Sequence, residues 1–168
     1  MSGFDIRLER VVNATPDAAF NHWVDAEARR WWYAPEHGWI VEAETDLRVG
    51  GAWRVLFGPT PEEMYLEHGV FEEIDPPHRL VYTTLYEFPD GRPSFQTRVT
   101  VTFEPRGDRT LLTVLDTGYP SEAQRAAHES GWPGFLDAFQ RTLEGQTHHL
   151  SGRDEGRQGS STAQRRTR

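Results

Sequence analysis

The sequence feature that most constrains the fold is an amphipathic stretch near the end of the chain, residues 131–145. Its apolar side chains recur at intervals of three and four residues and so share one face of an α-helix: Trp132, Phe135, Leu136, Phe139 and Leu143. Pro133 suits the first turn of this helix, and Gly145 suits the residue just after its last turn. A helix with so broad an apolar face must bury that face against other elements.

Most of the chain before this helix alternates apolar and polar residues, as half-buried strands do. The first predicted strand covers residues 4–12. Two short helices should follow, one opening at Thr15-Pro16 and one covering Ala26 to Trp31. Turns rich in Pro, Gly and Asp then separate six further predicted strands and favour antiparallel hairpins: 39–45, 52–57, 64–74, 80–88, 95–104 and 110–117.

This order of elements predicts an α+β fold, with a curved antiparallel sheet of about seven strands around the long C-terminal helix. A sheet that curls around a helix often leaves space between the two. Ser121 to Gln124 resembles a capping box that opens a short polar helix before the long one. We expect Ser130-Gly131 to end that short helix.

Charge and composition divide the chain into one domain, residues 1–145, and a polar arginine-rich tail, residues 146–168, that we expect to be disordered. The net charge of −8 is the sum of about −11 in the domain and +3 in the tail. A body this acidic repels phosphate backbones, so we expect no nucleic-acid partner. The apolar runs are too short to span a membrane and no signal peptide is evident, so we expect a cytoplasmic protein.

The residue inventory predicts no metal and no cofactor. The chain has no cysteine, and its seven histidines show none of the spacings of zinc-binding helices. Glycine-rich nucleotide-binding loops and the Gly-x-Ser-x-Gly elbow of α/β-hydrolases are also absent from the sequence. His68 is the histidine of most interest, because it lies within a strand next to Glu67 and could carry a proton if it faced inward.

Four segments carry a resemblance to a known family: Asp46 to Trp53, Gly69 to Val81, Val99 to Phe103 with Thr110 to Thr113, and Gly131-Trp132. Together they resemble the activator-of-Hsp90-ATPase-homologue-like family, within the START/Bet v 1-like (SRPBCC) superfamily. The resemblance covers residues 4–145 and implies the helix-grip fold. That superfamily includes small-molecule carriers, polyketide cyclases and aromatases, and co-chaperone domains, so the fold does not decide the activity.

A second resemblance concerns Arg30-Trp31-Trp32, Gly50 to Trp53, and Gly131 to Pro133 with Phe139-Gln140. These segments are similar to the START-type self-resistance proteins of enediyne antibiotic producers, which trap the reactive drug and are themselves cleaved. The resemblance implies that a glycine beside the bound drug is the reacting residue. Its identity stays open among Gly50, Gly51, Gly69 and Gly131.

Aromatic residues make up 12 % of the chain, enough to line a cavity that accepts a flat or hydrophobic molecule. We therefore expect a noncatalytic protein that binds such a ligand between the sheet and the C-terminal helix. The candidate lining residues, each of which could instead be ordinary core, are Trp32, Trp53, His68, Tyr82, Tyr86, Phe95, Trp132, Phe135 and Leu136.

Two other functions are also compatible with the sequence. The first is a cyclase-like enzyme acting on a polyketide-type substrate in the same cavity. Its polar candidates are Arg54, Tyr82, Tyr86 and Asp116. The second is an Hsp90 co-chaperone-like module that binds a protein partner through its surface.

Overall fold

A computed structural model describes residues 4–34 and 38–156, with side chains for all of these except residue 40 and residues 146–156. One antiparallel sheet holds seven strands in the order β1-β7-β6-β5-β4-β3-β2. Neighbours along the chain are therefore neighbours in the sheet, apart from β1, which pairs with β7. The strands are β1 (Phe4–Val12), β2 (Ile40–Thr45), β3 (Ala52–Thr60), β4 (Glu63–Asp75), β5 (Arg79–Glu87), β6 (Phe95–Arg106) and β7 (Arg109–Tyr119).

Three helices complete the fold: α1 (Pro16–Val24), α2 (Ala26–Trp32) and α3 (Glu122–Gly156). Thr15 caps α1 by accepting a hydrogen bond from the Ala18 amide at 3.2 Å. Asp25 ends α1 and caps α2, because its carboxylate accepts the Glu27 amide at 3.2 Å. The predicted α+β helix-grip arrangement is confirmed, with seven antiparallel strands and the two short helices preceding the long one in the expected order.

The prediction of two separate helices after β7 is wrong, because α3 is continuous from Glu122 to Gly156. Ser130 does not break the helix, since its hydroxyl donates back to the Ala127 carbonyl at 2.7 Å within the same helix. Pro133 lies inside the helix, and Gly145 does not end it. Tertiary packing of the apolar stripe outweighs the local preferences of these residues. The predicted tail stays a prediction, and its residues 157–168 lie outside the described part.

The glycines after β2 solve a backbone problem, as expected. Gly50 has a φ of +82°, which side chains disfavour, and its amide donates to the Phe71 carbonyl at 2.8 Å. A Cβ on Gly51 would lie 2.1 Å from the Asp46 carbonyl oxygen. The turn therefore needs glycine at both positions to connect β2 to β3 and to keep its hydrogen bond to β4.

The core forms where α3 packs against α1, α2 and the sheet. Phe139 is fully buried, and its ring centroid lies 5.0 Å from that of Trp23 and 5.2 Å from that of Trp32. Leu136 and Leu143, on the same stripe, are also buried. The stripe is not buried along its whole length, because Trp132 and Phe135 are only partly enclosed. Its C-terminal half is therefore core, and its N-terminal half borders open space.

Replacing Phe139 by alanine should lower the free energy of unfolding by about 3–5 kcal/mol, because the surrounding rings cannot close the space it leaves. Urea denaturation measures this loss. Trp31→Ala is the matched control, since Trp31 is 69 % exposed and its removal should cost less than about 0.5 kcal/mol. A loss in Phe139→Ala no larger than in the control would contradict this packing.

Candidate functional site

A cavity of about 290 Å³ lies between α3 and the sheet, next to the end of α2. Its volume is at the lower end of those usual for small-molecule sites. Glu67, Glu87 and His128 are the carboxyl and imidazole side chains among its described lining residues. Most of the wall is aromatic: Trp32, Tyr33, Trp39, Phe57, Tyr65, Tyr86, Phe88, Trp132 and Phe135.

Ring contacts join seven of these nine aromatic side chains into one wall. The Tyr33 ring contacts that of Phe135 at 5.2 Å and that of Phe57 at 5.7 Å between centroids. Trp39 stacks on Tyr65 with an interplanar angle of 6° and a centroid distance of 6.0 Å. Because each ring is held by its neighbours, the cavity is largely formed before any ligand enters.

Four of the nine sequence candidates line this cavity: Trp32, Tyr86, Trp132 and Phe135. Tyr82 and Leu136 are buried in the core instead. The Tyr82 hydroxyl accepts a hydrogen bond from the Trp23 indole at 3.2 Å. Phe95 lies one layer behind the wall, with its ring 4.9 Å from Tyr86.

Trp53 is also buried in the core, where its indole donates to the Thr83 carbonyl at 3.1 Å. His68 borders a different depression formed by β2 to β5. His68 follows Glu67, which lines the cavity, so alternation along β4 points His68 to the opposite face. There it lies 3.3 Å from the carboxylate of Glu87, a residue that borders both this depression and the edge of the cavity. Arg54, a candidate for the enzyme alternative, is opposite His68 in the β3–β4 register and is exposed. Neither side chain can act on a molecule in the aromatic cavity.

Glu67 is the most informative polar group of the cavity, and sequence reasoning did not assign it a role. It lies on β4 between Val55 of β3 and Tyr86 of β5, both of which face the interior. Its Oε1 accepts a hydrogen bond from the Tyr33 hydroxyl at 2.8 Å. Desolvation by the cavity wall raises the pKa of Glu67 to about 8, against the opposing hydrogen bond from Tyr33.

A buried arginine lies close to this carboxyl. Arg29 is fully enclosed, and its Nε donates to the Trp23 carbonyl at 2.9 Å. Its two terminal nitrogens find no hydrogen-bond partner among the described residues. Instead, the guanidinium faces the rings of Trp53 at 5.1 Å and Tyr33 at 5.7 Å, as a cation–π arrangement requires. Arg29 thus places a fixed positive charge beneath the wall that Tyr33 forms.

A second polar group lies behind the cavity wall, around the fully buried Asp116 of β7. Its Oδ2 accepts hydrogen bonds from the Tyr119 hydroxyl and, at 3.2 Å, from the Trp132 indole. Burial raises the pKa of Asp116, although these hydrogen bonds oppose the shift. Burial also lowers the pKa of His128, whose ring lies 4.6 Å from that of Tyr86. This network fixes the Trp132 ring in the cavity wall.

The described residues contain no group of three or more acidic or histidine side chains that could hold a metal ion. No helix in the described part is both long and apolar enough to span a membrane. The site is thus defined by aromatic rings and a few buried polar groups.

Comparisons with known proteins place the chain in a family. Residues 13–144 match the family described as activator of Hsp90 ATPase homolog 1-like protein, and the chain belongs to that family. No curated protein sequence matches the chain.

Solved structures with the same fold agree with this assignment. The AHSA1 protein from Silicibacter pomeroyi is 25% identical, with a TM-score of 0.74 over 85% of this chain and 99% of that one. Protein CV1439 from Chromobacterium violaceum is also 25% identical, with a TM-score of 0.74 over 83% of this chain and 97% of that one. CalU16 from Micromonospora echinospora shares the fold at 23% identity, with a TM-score of 0.61 over 89% of this chain and 82% of that one.

Several lining residues were missing from the sequence candidates, including Tyr33, Trp39, Phe57 and Tyr65. Phe57 and Tyr65 face each other in the β3–β4 register, so their shared face followed from strand alternation once pairing was known. Tyr33 and Trp39 lie on either side of a connection in which the sequence shows no helical or strand periodicity. Their positions depend on tertiary packing, which one sequence does not reveal.

The raised pKa of Glu67 predicts a specific pH dependence of stability. Between about pH 4.5 and pH 8 the unfolded chain has lost this proton and the folded protein keeps it, so the free energy of unfolding falls as pH rises. Glu67→Gln, which is always neutral, should equal the native protein near pH 4 and exceed it in stability at pH 8. Urea denaturation at both pH values measures the difference.

A companion variant, Tyr33→Phe, should raise the pKa of Glu67 further, because the hydroxyl stabilises the ionised carboxylate. Carboxyl ¹³C NMR follows the titration of Glu67 directly. A native titration midpoint near 4.5 would contradict the enclosed position of this carboxyl.

Proposed function

We propose that this protein binds a hydrophobic, aromatic small molecule in the cavity between α3 and the sheet, and holds it without chemical conversion. The observation that carries the proposal is the preformed cavity of about 290 Å³ with its largely aromatic wall. Flat ligands gain both desolvation and ring stacking in such a site. The family's fold, shared with the S. pomeroyi and C. violaceum structures, is consistent with a ligand-binding role.

The different surroundings of the N-terminal and C-terminal turns of α3 support the same proposal. Phe139 and Leu143 provide the buried packing that a stable domain needs. Trp132 and Phe135, one to two turns earlier on the same stripe, leave part of their surface open to the cavity. Keeping large rings exposed to an empty space costs burial energy, and a ligand that fills the space recovers it.

A narrower version of the proposal is self-resistance to a reactive natural product of the enediyne type. Of the four glycines considered for such a role, Gly131 is the one that lines the cavity, and a Cβ built on it meets nothing within 4 Å. A bound diradical would take the Cα hydrogen of Gly131. The carbon radical left behind would then combine with dissolved oxygen, which leads to chain cleavage at that residue.

Trp132→Ala should weaken binding by about tenfold or more, because it removes a stacking surface from the wall, while the protein remains folded. Trp31→Ala is the control, since it removes the same side chain from an exposed position outside this cavity. Fluorescence titration measures binding of an aromatic polyketide, an enediyne, a fatty acid and the two-ring ketone 2-acetonaphthone. Circular dichroism verifies folding.

Equal affinities in the two variants would contradict the proposed site. Failure of every ligand to bind the native protein would contradict the proposed function itself. Stimulation of Hsp90 ATPase activity would then favour the co-chaperone alternative. Turnover of a polyketide, lost on changing one cavity carboxyl, would favour the cyclase alternative.

The narrower version predicts that incubation with an enediyne cleaves the chain at Gly131. Intact-mass spectrometry would detect the two resulting fragments. Gly131→Ala should slow this cleavage, because alanine adds a shielding methyl group in open space. Cleavage at another glycine, or none at all, would contradict self-sacrifice at Gly131.

A further inference from the structure

The polar groups of the cavity are few, and their arrangement specifies more about the ligand than its aromatic character. Glu67 is the carboxyl of the inner wall, and part of its surface opens onto the cavity. These groups can select a ligand only if a molecule enters the cavity, so the inference drawn from them rests on the proposed function.

Only half of the Glu67 carboxyl is engaged by the protein. Tyr33 donates to Oε1, and no described residue makes a hydrogen bond to Oε2. Tyr33 cannot easily turn away, because its ring is in contact with those of Trp32, Phe57 and Phe135. The carboxyl is therefore held in one orientation with a free oxygen, as expected of a group positioned for a ligand.

The surroundings of Glu67 favour its neutral form. The aromatic wall removes solvent that would stabilise a carboxylate, and this desolvation outweighs the opposing effects of the Tyr33 hydrogen bond and the Arg29 charge. Its pKa of about 8 agrees with this geometry. The charged or titratable groups that face it or share its cavity are Arg29 and Tyr33 at α2, Tyr65 of β4, Tyr82, Tyr86 and Glu87 of β5, Asp116 and Tyr119 of β7, and His128 of α3.

We infer that the ligand presents a carbonyl or similar acceptor oxygen to Glu67, whose neutral carboxyl donates a hydrogen bond to it from Oε2. Tyr33 supports the interaction by donating to Oε1. Glu67 and Tyr33 together thus form a hydrogen-bonding site at one wall of a largely apolar cavity. The inferred ligand class is therefore an aromatic ketone, quinone or related carbonyl compound.

A carboxyl could also bind a ligand that carries an ammonium group, but the position of Arg29 disfavours such a ligand. Its buried guanidinium lies behind the Tyr33 ring and has no ion-pair partner among the described residues. Such a fixed positive charge repels a second cation and attracts the partial negative charge of an acceptor oxygen.

Three two-ring ligands of nearly equal shape test the inference. They are 2-acetonaphthone, its hydrocarbon counterpart 2-isopropenylnaphthalene, and the ammonium compound 1-(2-naphthyl)ethylamine. Dissociation constants are measured by NMR titration of the full chain at pH 6.5 and pH 9.5. At pH 6.5 the ketone should bind about fivefold to tenfold more tightly than the hydrocarbon, the usual range for one net hydrogen bond. At pH 9.5 that preference should vanish, because an ionised Glu67 can no longer donate.

Two variants separate donation by Glu67 from a general effect of the cavity. Glu67→Gln keeps a donor of the same shape, so the preference for the ketone should persist at both pH values. Glu67→Leu removes the donor, so the ketone and the hydrocarbon should bind equally. The hydrocarbon itself should bind the native protein and Glu67→Gln equally, which confirms an intact cavity.

The outcomes distinguish this inference from the function on which it rests. If all three compounds bind the native protein equally, or the ammonium compound binds most tightly, the inference is overturned while the binding function stands. If the ketone preference does not change between pH 6.5 and pH 9.5, donation by Glu67 is also overturned. If none of the three compounds binds, the proposed function fails together with the inference.

Discussion

The structure depends on the packing of one long helix against one antiparallel sheet. Phe139 enters a cluster of rings from α1 and α2, and Leu136 and Leu143 extend the contact on either side of it. Burial of each such side chain contributes about 1.5–3 kcal/mol. This contact also fixes the cavity, because it sets how far the N-terminal half of α3 stands from the strands. The C-terminal turns of α3 thus pack the core, and its N-terminal turns line the cavity.

Burying polar groups lowers the stability of this architecture, and that loss is a reason to assign these groups a role. Arg29 is enclosed with two unpaired terminal nitrogens, and Glu67 keeps its proton well above its usual range. Burying a charge without full compensation costs free energy that apolar residues of similar volume would not cost. A cavity wall built only for packing would not need them. Their placement beside Tyr33 is understandable if the wall also recognises a polar atom of a ligand.

The sequence predicted the fold well because strand alternation and the helical stripe are local patterns. Every strand was anticipated within a few residues, whereas α3 differed because the helix continues through Gly131 and Pro133 and past Gly145. The site was predicted less completely. Trp132 and Phe135 followed from the stripe, whereas Glu67 and Tyr33 meet across 34 residues, a distance that no sequence pattern spans. His68 showed the limit most clearly, since a shift of one residue along β4 decides which face a side chain occupies.

The central claim is that the aromatic cavity binds a ligand, and the six tryptophans allow one direct test. Trp32, Trp39 and Trp132 line the cavity, whereas Trp23, Trp31 and Trp53 do not. Transferred NOE and indole ¹⁵N–¹H shift measurements with bound 2-acetonaphthone would distinguish the two sets. The account predicts intermolecular NOEs to the three lining indoles and none to exposed Trp31. Intermolecular NOEs to Trp31 alone, or to no tryptophan at all, would contradict binding in the cavity.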